Sequence, residues 1–347
     1  MTRLGRLPWR TLGLADLRDG DGERLWYAVS TNFKNNPRTP CANHADVGCL
    51  NSETRGTITL RSASGTPIYD GTVNGAVAVI IAPGSALRDA TINQDRSAAG
   101  INNPRNYLDI APSGEDNFDF LDSAANGFFT GPVVDAYGNV IVNDRIVAIT
   151  PQDMMVVLER RVAQEVASCL NQYATANGQK YPWAADMLES GLNNKYHDYE
   201  APAARRYGRV PDEPFTRTQT DDGSMIPAWA AGCTLALGAW WTNWKGLVLY
   251  ALAEPFQPGG LIACGVSCFT VNRPFAAPAP DVRFVVVVAG TALPPQDRTA
   301  PPGTIDTNPA NFVEFENATS PTAPDPTFEI RTIGADFNDR LAYFPVP

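Results

Sequence analysis

Six cysteines and two histidines are the side chains best suited to bond-making in this chain, and their spacing limits what they can do. Cys41 and Cys49 form one close pair, Cys264 and Cys268 another, and Cys169 and Cys233 remain. An even count held in short loops reads as three disulfides made in an oxidising compartment. Spacing alone leaves their connectivity open. The pairing to test is Cys41–Cys49, Cys264–Cys268 and Cys169–Cys233, the last of which would staple a helix to a head. His44 and His197 do not complete a zinc set with these cysteines. Nucleophilic catalysis needs a nucleophile, a base and an orienting group. Both histidines sit in polar loop segments, which suits exposed loop residues. The chain has no Gly-x-Ser-x-Gly elbow, phosphate loop or dinucleotide fingerprint, so no catalytic residue and no cofactor is expected.

Carboxylates offer a second route to chemistry. Asp19-Gly20-Asp21-Gly22-Glu23 alternates acids with glycine, a pattern of oxygen ligands that calcium could use. The full twelve-residue loop pattern is missing, and a solvated turn before a strand accounts for Asp19, Asp21 and Glu23 as well. Asp221-Asp222-Gly223 reads the same way. Gln94-Asp95-Arg96 recurs as Gln296-Asp297-Arg298, and Asn143-Asp144-Arg145 recurs as Asn338-Asp339-Arg340. A catalytic site is usually needed once, so recurrence reads as architecture: turns capped by Asp and bridged by Asp–Arg pairs. Trp229, Trp240, Trp241 and Trp244 cluster, which core packing explains and which an interface or ligand platform would also use.

Those triplets belong to a wider repeat. Tyr27-Ala28-Val29, followed by Phe33, matches Tyr250-Ala251-Leu252, followed by Phe256 at the same spacing. A cysteine loop follows each. Ala76-Val77-Ala78-Val79-Ile80-Ile81 and Phe284-Val285-Val286-Val287-Val288 are continuous apolar runs, the pattern of strands covered on both faces. Asn103-Pro104-Arg105-Asn106-Tyr107-Leu108-Asp109 matches Asn308-Pro309-Ala310-Asn311-Phe312-Val313-Glu314. Between the copies, Thr150-Pro151-Gln152-Asp153 opens a helix, with Thr as cap and Pro at the first position. Met155, Leu158, Val162, Val166, Cys169 and Tyr173 then make one apolar stripe, and Asn177-Gly178 ends it, giving a helix over 151–177. Gly5-Arg6-Leu7-Pro8-Trp9-Arg10 is matched with Gly178-Gln179-Lys180-Tyr181-Pro182-Trp183-Ala184. On that match the first copy's helix would lie ahead of Met1. The expected fold is α+β: a first module over 5–149 without its helix, and a second over 150–347 with helix 151–177 packed on it. Each module has a mainly antiparallel sheet with long disulfide-pinned loops. Residues 189–227 read as an insertion without counterpart, where a specific function would be added.

Leu7-Pro8-Trp9-Arg10-Thr11-Leu12-Gly13-Leu14 and the run Asp19 to Ser30, ending in a Tyr-Ala-Val strand, resemble the type IV pilin and type II secretion pseudopilin superfamily. That resemblance implies an apolar N-terminal helix held in the inner membrane before assembly and packed in a filament afterwards. It also implies a Gram-negative-like cell envelope, a periplasmic or extracellular location, and other pilin or pseudopilin subunits as partners. The duplication suits a large minor subunit acting through protein contacts or adhesion. The formal net charge of −10 makes nucleic acid and the inner leaflet poor partners. The stretch from Ile226 to Leu252 carries Asn243, Lys245 and several glycines, and reads as buried helix and strand rather than a span. Two other readings stand beside this one: a free periplasmic or secreted binding protein using the four tryptophans, and an enzyme with a close, buried carboxylate pair in a deep pocket.

Overall fold

The structure, a computed structural model, describes residues 4–33, 50–88, 93–118, 127–187, 196, 206–212, 229–233, 235, 239–265, 267–298, 307–319 and 326–345. Cys41, Cys49, His44, His197 and Asp221-Asp222-Gly223 lie outside the described residues. So does most of the expected insertion. The chain divides into two units, one of Met1–Pro37 with Thr54–Met154, the other of Arg38–Glu53 with Met155–Pro347. The boundary therefore falls a few residues beyond 149, and a segment from the first cysteine loop counts with the second unit.

The first unit contains β1 (Leu4–Arg6), β2 (Trp26–Val29), β3 (Leu60–Arg61), β4 (Pro67–Tyr69), β5 (Ala78–Ala82), β6 (Phe128–Phe129), β7 (Val133–Val134), β8 (Val140–Val142) and β9 (Arg145–Ile149). Its main sheet runs β1-β2-β5-β9, antiparallel throughout. Beside it β3 pairs β4 antiparallel and β6 parallel. Trp26, Ala28, Val79 and Ile81 share one face and are buried with Ile58, Leu60, Tyr107, Leu108 and Phe128. Tyr27, Val29, Ala78 and Ile80 point the other way and are only half-buried. Beside them on β9, Val147 is 66% exposed. The expectation that both runs are covered on both faces thus fails for β5, because successive strand residues alternate faces and only one face here has a core against it.

From the boundary into the second unit runs α1 (Pro151–Ala176), a helix of 26 residues. Thr150 and Asp153 cap it reciprocally: the Asp153 N–H donates to Thr150 Oγ1 and the Thr150 N–H to Asp153 Oδ2. Met155, Val162, Val166, Cys169 and Tyr173 of the stripe are buried. The strands are β10 (Tyr207–Arg209), β11 (Val248–Leu252), β12 (Phe269–Arg273), β13 (Ala276–Val288), β14 (Thr327–Glu329) and β15 (Arg340–Pro345), with a short α2 (Ala239–Trp244) before β11. The far half of β13 lies between β11 and β15, and β10 borders β11, all antiparallel. The near half of β13 pairs β12 antiparallel, and β12 pairs β14 parallel. Every residue of β11 is buried, as are Phe284 to Val288. The extra cover comes from α1 and the segment after it. Tyr181 donates its hydroxyl to Asn171 of α1 and packs its ring 5.0 Å from Phe284. Cys169 is bonded to Cys233 and Cys264 to Cys268.

Four strands of each unit share one order, although β12 and β14 extend the second sheet to six strands while β3, β4 and β6 form a separate sheet in the first. β1-β2-β5-β9 corresponds to β10-β11-β13-β15, and the parallel β3/β6 pair to β12/β14. Tyr27 opposes Ile80, which opposes Val147; Tyr250 opposes Val286, which opposes Ala342. This register corrects one match made from sequence. Leu4-Gly5-Arg6 occupies the place of Tyr207-Gly208-Arg209, opposite Tyr27 and Tyr250 respectively. The repeat is therefore Arg3-Leu4-Gly5-Arg6-Leu7-Pro8 with Arg206-Tyr207-Gly208-Arg209-Val210-Pro211, and the Pro182-Trp183 segment has no counterpart among the described residues of the first unit. Tyr207–Arg209, placed in an insertion, form the first strand of the second sheet.

The difference in cover has a measurable consequence. Phe284→Ala should cost about 3–5 kcal/mol in urea unfolding. Val147→Ala, on the open face of the first sheet, should stay within about 0.5 kcal/mol.

Candidate functional site

The titratable groups that the fold brings together are two buried carboxyl pairs, one per unit. In the first, the Asp109 carboxylate accepts the backbone N–H of Asn143 and of Asp144. In return the Asp109 N–H donates to Asp144 Oδ2 at 2.8 Å. Asn117 donates its amide to the same oxygen at 2.8 Å and exchanges two further bonds with the backbone of Phe129. In the second unit Glu314 accepts the N–H of Asn338 and Asp339, and the Glu314 N–H donates to Asp339 Oδ2. Asn317 donates to Asp339 Oδ2 at 2.9 Å and brackets the backbone of Glu329. Each pair ties three things together: the loop after a 3-10 turn, the short strand β6 or β14, and the entry to the last strand.

An arginine closes each knot. Arg96 donates to the carbonyls of Gly84, Asn106 and Tyr107 and to Gln94 Oε1. Arg298 donates to the carbonyls of Gly290, Asn311 and Phe312 and to Gln296 Oε1. Gln94 and Gln296 pass their own amides to Asp109 and Glu314, both at 2.8 Å. Among the described residues, neither Arg96 nor Arg145 forms the expected ion pair with the aspartate of its own triplet. Arg96 and Arg298 are used on backbone carbonyls, whose fixed positions suit a planar fork of donors. Gly84 and Gly290 are required where Asn143 and Asn338 lie against them: a Cβ would meet those side chains at 2.9 and 2.3 Å. A second arginine stacks on the aromatic residue beneath. Arg6 lies 4.0 Å over the Tyr107 ring, and Arg209 lies 4.3 Å over Phe312.

The units differ in who supplies the counter-charge. Arg96 faces Glu23 of its own unit at 3.3 Å. Arg298 meets Glu53, part of the segment that crosses from the first cysteine loop. That segment is held by Ser52 Oγ donating to Ala289 O at 2.8 Å and by the Ala292 N–H donating to Glu53 Oε1 at 2.9 Å. Asp19 and Glu23, considered for calcium, are thus otherwise engaged. Asp19 accepts the N–H of Asp21, Glu23 and Gly84. Asp21 stays beside a hollow of about 350 Å³ shared with Asn143 and Arg145. Among the described residues no cluster of three metal-ligating side chains exists.

The tryptophans serve packing. Trp229, Trp241 and Trp244 are buried and Trp240 is half-buried. The indole N–H of Trp229 donates to the Asp212 carbonyl and that of Trp241 to the Asp212 carboxylate, which also binds Lys245 at 3.1 Å. Asp212 therefore anchors the end of the β10 segment on α2. An open groove of about 700 Å³ runs between α1 and β15. Neither hollow is lined by Asp109, Asp144, Glu314 or Asp339. No protein-family model matches this chain, and no curated protein or solved structure resembles it significantly.

Burial pushes Asp109 above the usual carboxylate range. Asp144 and Asp339 stand well above it, through burial and then through the neighbouring Asp109 or Glu314. Oδ1 of Asp144 and of Asp339 has no hydrogen-bond partner among the described residues. A raised folded-state pKa favours folding fully below the unfolded value, about 3.9, and the benefit fades as pH rises through the folded value. Asp339→Asn keeps the acceptor without the ionisation. Wild type should therefore lose stability relative to Asp339→Asn as pH rises above the unfolded value of about 3.9 in urea titrations. Asp339→Ala, which strands two buried donors, should cost about 2–5 kcal/mol throughout.

Proposed function

We propose that this chain is a non-catalytic structural subunit, one α+β module used twice in tandem, that works through protein contacts in a cell-envelope filament or secretion apparatus of the pilin or pseudopilin kind. The observation that carries this reading is the doubled polar knot. Its acids, amides and arginines point inward, hold backbone, and recur with the same partners in both units. A hydrolytic carboxylate pair needs access to water and substrate. These pairs are buried, and one carboxylate of each receives two consecutive backbone N–H groups, so they serve as fasteners. The two disulfides fit an oxidising, extracytoplasmic compartment. No helix among the described residues is long and apolar enough to cross a membrane.

A free ligand-binding protein using Trp229, Trp240, Trp241 and Trp244 is the weaker reading. Three of those rings are already buried, and two indole N–H groups are spent on Asp212. In the producing cell, a tagged chain should co-sediment with sheared surface filaments or with an envelope complex, and deleting the gene should reduce filament yield or secretion. Recovery only as a free monomer, with filaments and secretion unchanged, would contradict the assembly role.

A further inference from the structure

The two main sheets share an order but not a degree of cover. In the second unit Tyr250, Leu252, Phe284 and Val286 are fully buried: Tyr181 packs 5.0 Å from Phe284, Tyr250 donates to the Pro182 carbonyl, and Glu159 of α1 reaches Arg340 on the same face. The matching face of the first unit carries Tyr27, Val29, Ala78, Ile80 and Val147, apolar throughout, with Val147 66% exposed. A strand written as a continuous β-branched run but buried only at alternate residues has apolar surface to spare. Among the described residues α1 is the one helix of more than two turns, and its bond to Cys233 holds it in the second unit.

Charge completes the comparison. Arg340 stands opposite Val288, on the α1 side of its sheet, and meets Glu159 of α1 at 3.5 Å. Glu159 is 4% exposed, so α1 delivers a buried carboxylate to this arginine, and the Ser52 side chain bonds to the same carboxylate. Arg145 holds the same register in the first unit, opposite Ala82. Its guanidinium donates to the Gly131 carbonyl at 3.1 Å, and no described carboxylate pairs with it.

We propose that the open face of the first sheet docks an amphipathic helix presented by another polypeptide of the assembly. That helix carries an apolar stripe like that of α1 and one carboxylate placed to meet Arg145. The proposal deepens the assembly reading above by naming a partner's chemistry, and its test in vitro is independent of where the protein is found in the cell. The arginine sets the register, since a helix shifted by one turn would leave its acid buried against apolar side chains.

The probe is a fluorescein-labelled peptide of residues 150–177 with Cys169→Ser, titrated with the full chain and followed by anisotropy. Saturable binding is expected. Val147→Asp should abolish it. Arg145→Glu should weaken it by about tenfold or more, and a peptide carrying Glu159→Lys should recover most of that loss. Ala342→Asp, the matching change in the second unit, should leave binding in place. Absence of saturable binding, binding indifferent to Val147→Asp, or loss through Ala342→Asp alone would overturn the proposal. So would a concentration-dependent dimer in sedimentation that Val147→Asp abolishes, because the face would then serve self-association.

Discussion

The fold rests on a carboxylate that receives two consecutive backbone N–H groups. Asp109 and Glu314 each hold the turn that enters the last strand of the sheet, β9 or β15. Those turns could not otherwise satisfy their amides, because they leave one strand ladder before the next begins. The side chain does what a further strand would do, and it does so from a loop more than twenty residues away in sequence. Around it, Asn117 and Asn317 act as substitute backbone, and Arg96 and Arg298 gather the carbonyls left over. Burial makes the arrangement demanding. Two acids in contact away from water cannot both ionise cheaply, so the knot tolerates charge only where it faces the amides.

Much of this is visible in the sequence, although its meaning is not. Gln94, Asp109, Asn143 and Asp144 and their counterparts stand in matched blocks, and recurrence alone argues for architecture. Helix α1 follows from its cap and its stripe, and its last residue differs by one from the expectation. The roles of Asn117 and Asn317 are hidden because a lone Asn in a loop has no pattern until β6 and β14 are placed. Glu23 and Glu53 are hidden for another reason. They occupy equivalent chemical positions from non-equivalent places in the chain, so no alignment of the halves pairs them.

Two mistakes are instructive. Pro8-Trp9 invites a match to Pro182-Trp183, since tryptophan is rare and conspicuous. The backbone register favours Gly5-Arg6 with Gly208-Arg209 instead, because the arginine must reach the aromatic ring below, Tyr107 or Phe312. The second mistake concerns cover. A continuous apolar run reports that both faces of a strand want burial, and not that both have it. In the far half of β13 both faces are covered; in β5 one is left half-open. The mismatch between composition and exposure singles out the first sheet as a surface of interest.

Hydrogen exchange at four amides tests the account most directly: Asn143, Asp144, Asn338 and Asp339. If one carboxylate fastens each final strand, all four exchange only with the cooperative opening of their unit, at rates as slow as the central strands β5 and β13. Fast exchange at Asn143 and Asp144, or at Asn338 and Asp339, while those central strands stay protected would show that the knots do not hold and that the two units owe their common order to something else.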